Sequence, residues 1–182
     1  MRFVMFIKRK IVLILMSGFI FLAALLSCQL SGVGDTVVRA VEFITTWETT
    51  SDGESITIPT EGTSTYDYTV DWGDGNSDTG LTGNKAHTYA TAGTYTIKIS
   101  GTFPRIYFNG GGDSDKILSI ENWRTIVWES MNNAFSSCSN LTYNAADAPN
   151  LSNVTSMYDM FYEASAYATT KGLILSILCP AL

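Results

Sequence analysis

The chain has 182 residues, 46% of them hydrophobic and only 15% charged, which excludes a disordered polymer. Fifteen glycines without a three-residue period, and only three cysteines, exclude a collagen-like or disulfide-dense scaffold. The length allows one domain or two small ones, and the formal net charge of −6, which becomes −10 if residues 1–27 are removed, argues against a nucleic-acid partner.

Residues 1–27 read as a signal peptide. Arg2, Lys8, Arg9 and Lys10 form a positive front, and no charge interrupts the apolar run from Ile11 to Leu26. That run is short for a transmembrane helix, although Val4 to Ile7 would lengthen an uncleaved anchor, the alternative reading. The run ends in Leu25-Leu26-Ser27-Cys28, which resembles the lipobox of bacterial lipoproteins. The resemblance implies that Cys28 becomes the first mature residue and carries a lipid, so that acyl chains replace the discarded helix as anchor. Gln29 in place of Asp lacks the inner-membrane retention residue, which points to the outer membrane or cell surface. Cleavage would leave seven basic residues against 17 acids, a net charge of −10. Export permits a disulfide between Cys138 and Cys179, but nothing in their spacing demands one.

Residues 28–40, rich in small residues, read as a tether. β signals follow in series. Strands are expected at 43–47, at 55–59 with Ile56 and Ile58 on one face, and at 66–72 with Tyr66, Tyr68, Val70 and Trp72 together. Another is expected at 93–99, with Tyr95, Ile97 and Ile99 on one face. Asp52-Gly53, Gly62, Gly73-Asp74-Gly75 and Ala92-Gly93 punctuate them. Short strands with one wet face argue for a β-sandwich over 41–101.

Val70-Asp71-Trp72-Gly73-Asp74-Gly75, then His87-Thr88-Tyr89, then Gly93-Thr94-Tyr95, resembles a polycystic-kidney-disease (PKD) domain. The resemblance implies an immunoglobulin-like sandwich that serves as an extracellular spacer or binding module. On the residues themselves, Trp72 plugs a core at a strand end, Gly73 and Gly75 permit a tight turn, and Asp74 bonds turn amides. His87 and Tyr89 fall on a following strand, with Tyr89 inward. Asp71, Asp74, Asn76 and Asp78 supply oxygens for calcium, but they miss the EF-hand spacing, and a turn with solvated acids explains them as well. His87, the one histidine, has no Cys or second His at zinc-ligand spacing. No nucleophile-elbow pattern surrounds any serine, so neither catalytic residues nor cofactors are expected.

Residues 103–108 read as a strand leaving the sandwich, within a linker over 102–114 whose Asn109-Gly110-Gly111-Gly112-Asp113 marks a domain boundary. A repeat follows: 128–138 aligns with 154–164 at an offset of 26 residues, matching Met131 with Met157 and Phe135 with Phe161. Trp128, Met131, Phe135 and Cys138 lie three or four apart, as do Val154, Met157, Phe161 and Ala164. That spacing predicts two helices of about three turns, with a short strand or extended turn between them. One helix and one extended piece per unit is leucine-rich-repeat-like. The apolar stripes read as core, which stacked repeats bury against each other. The three Asn-x-Ser/Thr triplets at 140, 150 and 153 read as turns.

Ile117 to Trp123, Trp128 to Leu141 and Asp147 to Phe161 resemble the BspA-type leucine-rich-repeat surface proteins, over about 115–167. The resemblance implies a bacterial surface protein of adhesion, here apparently truncated. The tail 168–182 drops the pattern and contains no acid, as a shifted reading frame or truncated gene end would. The expected fold is mainly β: an immunoglobulin-like (PKD-type) sandwich, then a short, incomplete α/β leucine-rich-repeat segment. The expected function is a non-catalytic, lipid-anchored surface protein that binds host or bacterial surface proteins or glycans. The alternative is a carbohydrate-associated module of an exported degradative system.

Overall fold

The computed structural model describes residues 42–170, which fall in a single unit of the chain, residues 40–182. The expected signal peptide, Cys28, the tether and the tail beyond Thr170, with Cys179, lie outside the described residues. The strands in chain order are β1 (Phe43–Thr49), β2 (Ser55–Ile58), β3 (Asp67–Asp71), β4 (Ser77–Leu81), β5 (Lys85–Thr88), β6 (Gly93–Thr102), β7 (Ile117–Asn122) and β8 (Thr142–Tyr143). One short helix, α1 (Ser165–Thr170), follows. The protein is therefore mainly β.

Six strands form one mixed sheet in the order β4-β3-β6-β1-β7-β8, and β2 pairs with β5 in a second. The period-2 pattern sets the register. Trp47 lies opposite Tyr95 across β1 and β6, and Val70 lies opposite Ile99 across β3 and β6. Phe43, Thr45, Trp47 and Thr49 face inward on β1, Tyr68 and Val70 on β3, and Ile97 and Ile99 on β6. Ile56 and Ile58 turn from β2 into the same core, and Trp47 Nε1 donates to Thr45 Oγ1 at 2.7 Å inside it. β4 carries no strand signal of its own, because Ser-Asp-Thr-Gly-Leu shows no apolar alternation.

β1 is the hinge of the architecture. One side pairs with β6, and the other pairs antiparallel with β7, so the sheet runs on into the region where repeats were expected. Thr46 Oγ1 and Ser119 Oγ hydrogen-bond across that junction. β8 then adds in parallel to β7, Ser119 opposite Thr142. The 102–114 stretch, expected as a linker, sends Phe103, Ile106 and Phe108 into the core. It holds no strand beyond Thr102. Instead Asp113 Oδ2 accepts from the Thr57 amide at 2.8 Å, and Tyr107 N donates to Pro59 O at 3.3 Å. One continuous apolar cluster runs from Phe43 to Tyr167.

The two expected helices are absent. Residues 128–138 and 154–164 are chains of i→i+3 turns, with Ala134 N on Met131 O, Cys138 N on Phe135 O, Met160 N on Met157 O and Ala164 N on Phe161 O. Left-handed residues interrupt any helical path: Asn133 and Ser137 in the first unit, Asp159 and Glu163 at the same places in the second, all with φ between 51° and 61°. The amides freed from helical bonding reach across units instead. Met131, Asn133, Phe135 and Ser137 donate to Ser156, Tyr158, Met160 and Tyr162, at 2.7–2.9 Å. The apolar spacing of three and four was real; it serves a turn-built rung rather than a helix.

The 102–114 stretch joins this pattern as the first of three rungs. Glu129 N donates to Pro104 O just as Thr155 N donates to Glu129 O. Phe108 N and Asn109 N donate to Ala134 O and Asn133 O. Asn109 is left-handed, like Asn133 and Asp159. The rings of Phe108, Phe135 and Phe161 follow one another down the stack, at 6.3 and 5.5 Å between centroids.

Candidate functional site

Two places gather the residues singled out from the sequence. The first is the turn between β3 and β4. Trp72 leaves the strand into the core and is fully buried, and its indole Nε1 donates to Asp78 Oδ2 at 2.9 Å. Gly73 turns with φ 79°, and a Cβ there would lie 2.5 Å from the Thr96 carbonyl oxygen, so only glycine fits. Asp74 Oδ1 accepts from the Asn76 amide, while its Oδ2 accepts from His87 Nε2 at 2.8 Å. The His87 ring stacks on Trp72 at 4.9 Å and meets Tyr89 edge-on. Tyr89 Oη donates to Trp72 O, and its ring stacks on Tyr95 at 3.8 Å. The turn, β5 and the start of β6 at Gly93 are thus tied into one aromatic cluster spanning both sheets.

The acids of this turn are engaged by separate partners. Asp71 pairs with Lys98 at 3.2 Å, and Asp78 with Lys85 at 3.0 Å. The bonds from Trp72 and Lys85 hold the Asp78 carboxyl below its ordinary range. Burial raises the Asp74 carboxyl, but the bonds from His87 and Asn76 outweigh it and leave it lowered. Among the described residues no group of three or more His, Cys, Asp or Glu is arranged to hold a metal ion. This geometry braces a turn: each carboxylate accepts a hydrogen bond at close range, and the histidine lies flat on an aromatic ring.

The second place is the last rung. In the second rung Trp128, Met131, Phe135 and Cys138 are fully buried, covered by the rungs on either side. Burial drives the free Cys138 thiol well above its ordinary pKa, so it is an inert core residue. In the third rung Met157 and Phe161 emerge, while Ala164, which matches Cys138, stays buried. Met157 is 43% exposed where Met131 is 0%, and Phe161 is only partly buried. Tyr158 and Tyr162, 69% and 56% exposed, stand where the preceding unit has Asn132 and Ser136. They are the two aromatic departures from a polar pair in the repeat alignment, and that contrast is the sequence signal that marks them. Carboxylates of Glu163 and Glu129 lie on the same rungs, Glu163 accepting from Ser137 Oγ at 3.2 Å.

Tyr167 of α1 closes part of this end by stacking on Phe161 at 4.0 Å. The N–H groups of Met157, Asp159, Phe161 and Glu163 have no partner among the described residues. No described helix is long and apolar enough to cross a membrane. Comparison with protein-family models, curated proteins and solved structures finds no match.

Proposed function

We propose that the chain is a non-catalytic, exported surface lipoprotein whose repeat stack acts in adhesion or protein–protein interaction. In this reading residues 1–27 are removed and Cys28 is acylated, residues 41–101 are a PKD-like spacer, and 102–167 belong to a leucine-rich-repeat-like stack of the BspA type. The basic flank, the apolar run and Leu25-Leu26-Ser27-Cys28 support the address. The observation that carries the binding role is the third rung, where Met157, Tyr158 and Tyr162 stand exposed, with Tyr162 beside the carboxylates of Glu163 and Asp159. Tyrosine offers a large contact area at little entropic cost, which makes such positions natural anchors.

The test is adhesion of cells displaying the full chain to immobilised cell-surface proteins, compared with the Tyr158→Ser/Tyr162→Ser double variant at equal surface abundance. The reading predicts at least a fivefold loss of adhesion in the variant. Unchanged adhesion would contradict it. Retention of the wild-type chain on insoluble polysaccharide, lost in the same variant, would favour the carbohydrate-associated alternative.

A further inference from the structure

We infer that the open edge of the third rung, from Met157 to Glu163, binds a segment of another polypeptide that adds in parallel as a fourth rung. This deepens the proposed interaction role and rests on it.

The stack carries the inference by its own translation. The second rung gives the amides of residues 131, 133, 135 and 137 to carbonyls of the third. Moving on by the repeat offset, the equivalent amides belong to Met157, Asp159, Phe161 and Glu163. Their backbone repeats the same conformations, left-handed at Asp159 and Glu163 as at Asn133 and Ser137. These four donors have no partner among the described residues. A row of unpaired donors is a template for strand addition. The side chains agree with the backbone: Met131 is fully buried by the rung that follows it, and Met157, in the same position, is exposed.

The edge also specifies its occupant. The carbonyls of Met157, Asp159 and Phe161 already accept from Met160, Tyr162 and Ala164, so the edge offers donors and needs acceptors. The described rungs of a second copy supply none. Its first rung lies against β2 through Tyr107 N on Pro59 O and Asp113 on the Thr57 amide. Its third rung would set donor against donor. The fitting partner is an extended segment of repeat type, with carbonyls free at every second residue and apolar side chains three and four apart to cover Met157 and Phe161. Asp159 and Glu163, which stand where the second rung has Asn133 and Ser137, favour a basic residue in that segment. Tyr167 sits over Phe161, so the incoming chain meets the Met157 end first and slides Tyr167 aside to complete the rung.

The probe is a synthetic peptide with the sequence of residues 152–166 carrying Asp159→Lys and Glu163→Lys, which sets basic groups over the chain's Asp159 and Glu163, added to the full chain, with amide hydrogen exchange read residue by residue. The expected result is saturable 1:1 binding that slows exchange at Met157, Asp159, Phe161 and Glu163 at least tenfold. A scrambled peptide should have no effect, and Met157→Asp should abolish the protection. Absence of protection, or protection equal with the scrambled peptide, would overturn the inference. So would slow exchange at these four amides before peptide is added, since the chain's own residues would then cover the edge. If the peptide fails while wild-type cells still adhere through Tyr158 and Tyr162, only this inference falls; if adhesion fails as well, the proposed function falls with it.

Discussion

Gly73 shows how one residue fixes the β3–β4 turn. Its left-handed backbone and its approach to the Thr96 carbonyl leave no room for a side chain, whereas Gly75 turns with φ 93° in open space. Gly73→Ala should cost about 2–4 kcal/mol in urea unfolding, from the left-handed penalty and displaced β6 backbone, and Gly75→Ala about 1 kcal/mol. Equal losses would show that the Thr96 contact does not matter. Glu54 is the residue through which acid acts most directly. Its carboxylate accepts from the Thr50 and Ser51 amides and pairs with Lys116 at 3.0 Å, and the Thr50 bond leads in lowering its pKa from 4.5 to about 2. A carboxyl depressed in the folded state contributes stability above its unfolded pKa and loses it as pH falls through the folded value. Stability should therefore decline between about pH 4.5 and pH 2, and the decline should be shallower in Glu54→Gln by denaturant titration.

At the scale of the element, the strands and the rungs were unequally legible. Gly93–Thr102 declares itself because Tyr95, Ile97 and Ile99 alternate, whereas Phe43–Thr49 alternates only roughly and is marked by its β-rich composition. The rungs do not declare themselves, because apolar residues three and four apart suit both a helix and a run of i→i+3 turns. The difference lies in backbone dihedrals at Asn133, Ser137, Asp159 and Glu163, and none of these is a glycine. Only the asparagine and the aspartate carry even a mild left-handed preference. The brace at the start of the second unit was also hidden: Asp147 accepts from the Trp123 and Arg124 amides at 3.0 and 2.8 Å, from more than twenty residues away. The stack makes a paired prediction. Met131→Ala should cost about 2–5 kcal/mol by leaving a cavity between rungs. Met157→Ala, at an exposed position, should change stability by about 0.5 kcal/mol or less in the same unfolding assay.

For the whole molecule, the consequence of β7 pairing with β1 is that the sheet and the stack share apolar packing. Phe43 of β1 touches both Trp123 and Trp128, at 5.3 and 5.2 Å, and Trp128 meets Phe103 at 6.1 Å. Composition and turn residues at 109–113 suggested a boundary, since three successive glycines there look like a break. They accompany a tight turn of the first rung, with Gly111 N on Phe108 O. Residues 42–170 should therefore unfold in one transition, with far-ultraviolet dichroism and fluorescence of the four buried tryptophans coincident. Two separated transitions would show that the shared packing does not couple the parts.

Around the motif, Trp72 and Tyr89 are buried, Gly73 turns left-handed, His87 lies on β5 and Tyr89 just past its end, and alternation with turn glycines made that much legible in the sequence. The exposed end of the stack was not, because burial at Met131 and exposure at Met157 depend on what each rung is stacked against, which no local pattern records. The address was read entirely from the first residues, and the proposed role at a surface stands on it. Intact-mass measurement of the protein extracted from membranes tests that claim most directly. The account predicts a chain that begins at Cys28 with a diacylglycerol on its thiol, and loss of the membrane form in Cys28→Ser. An unmodified chain retaining residues 1–27, recovered from the cytosolic fraction, would contradict it.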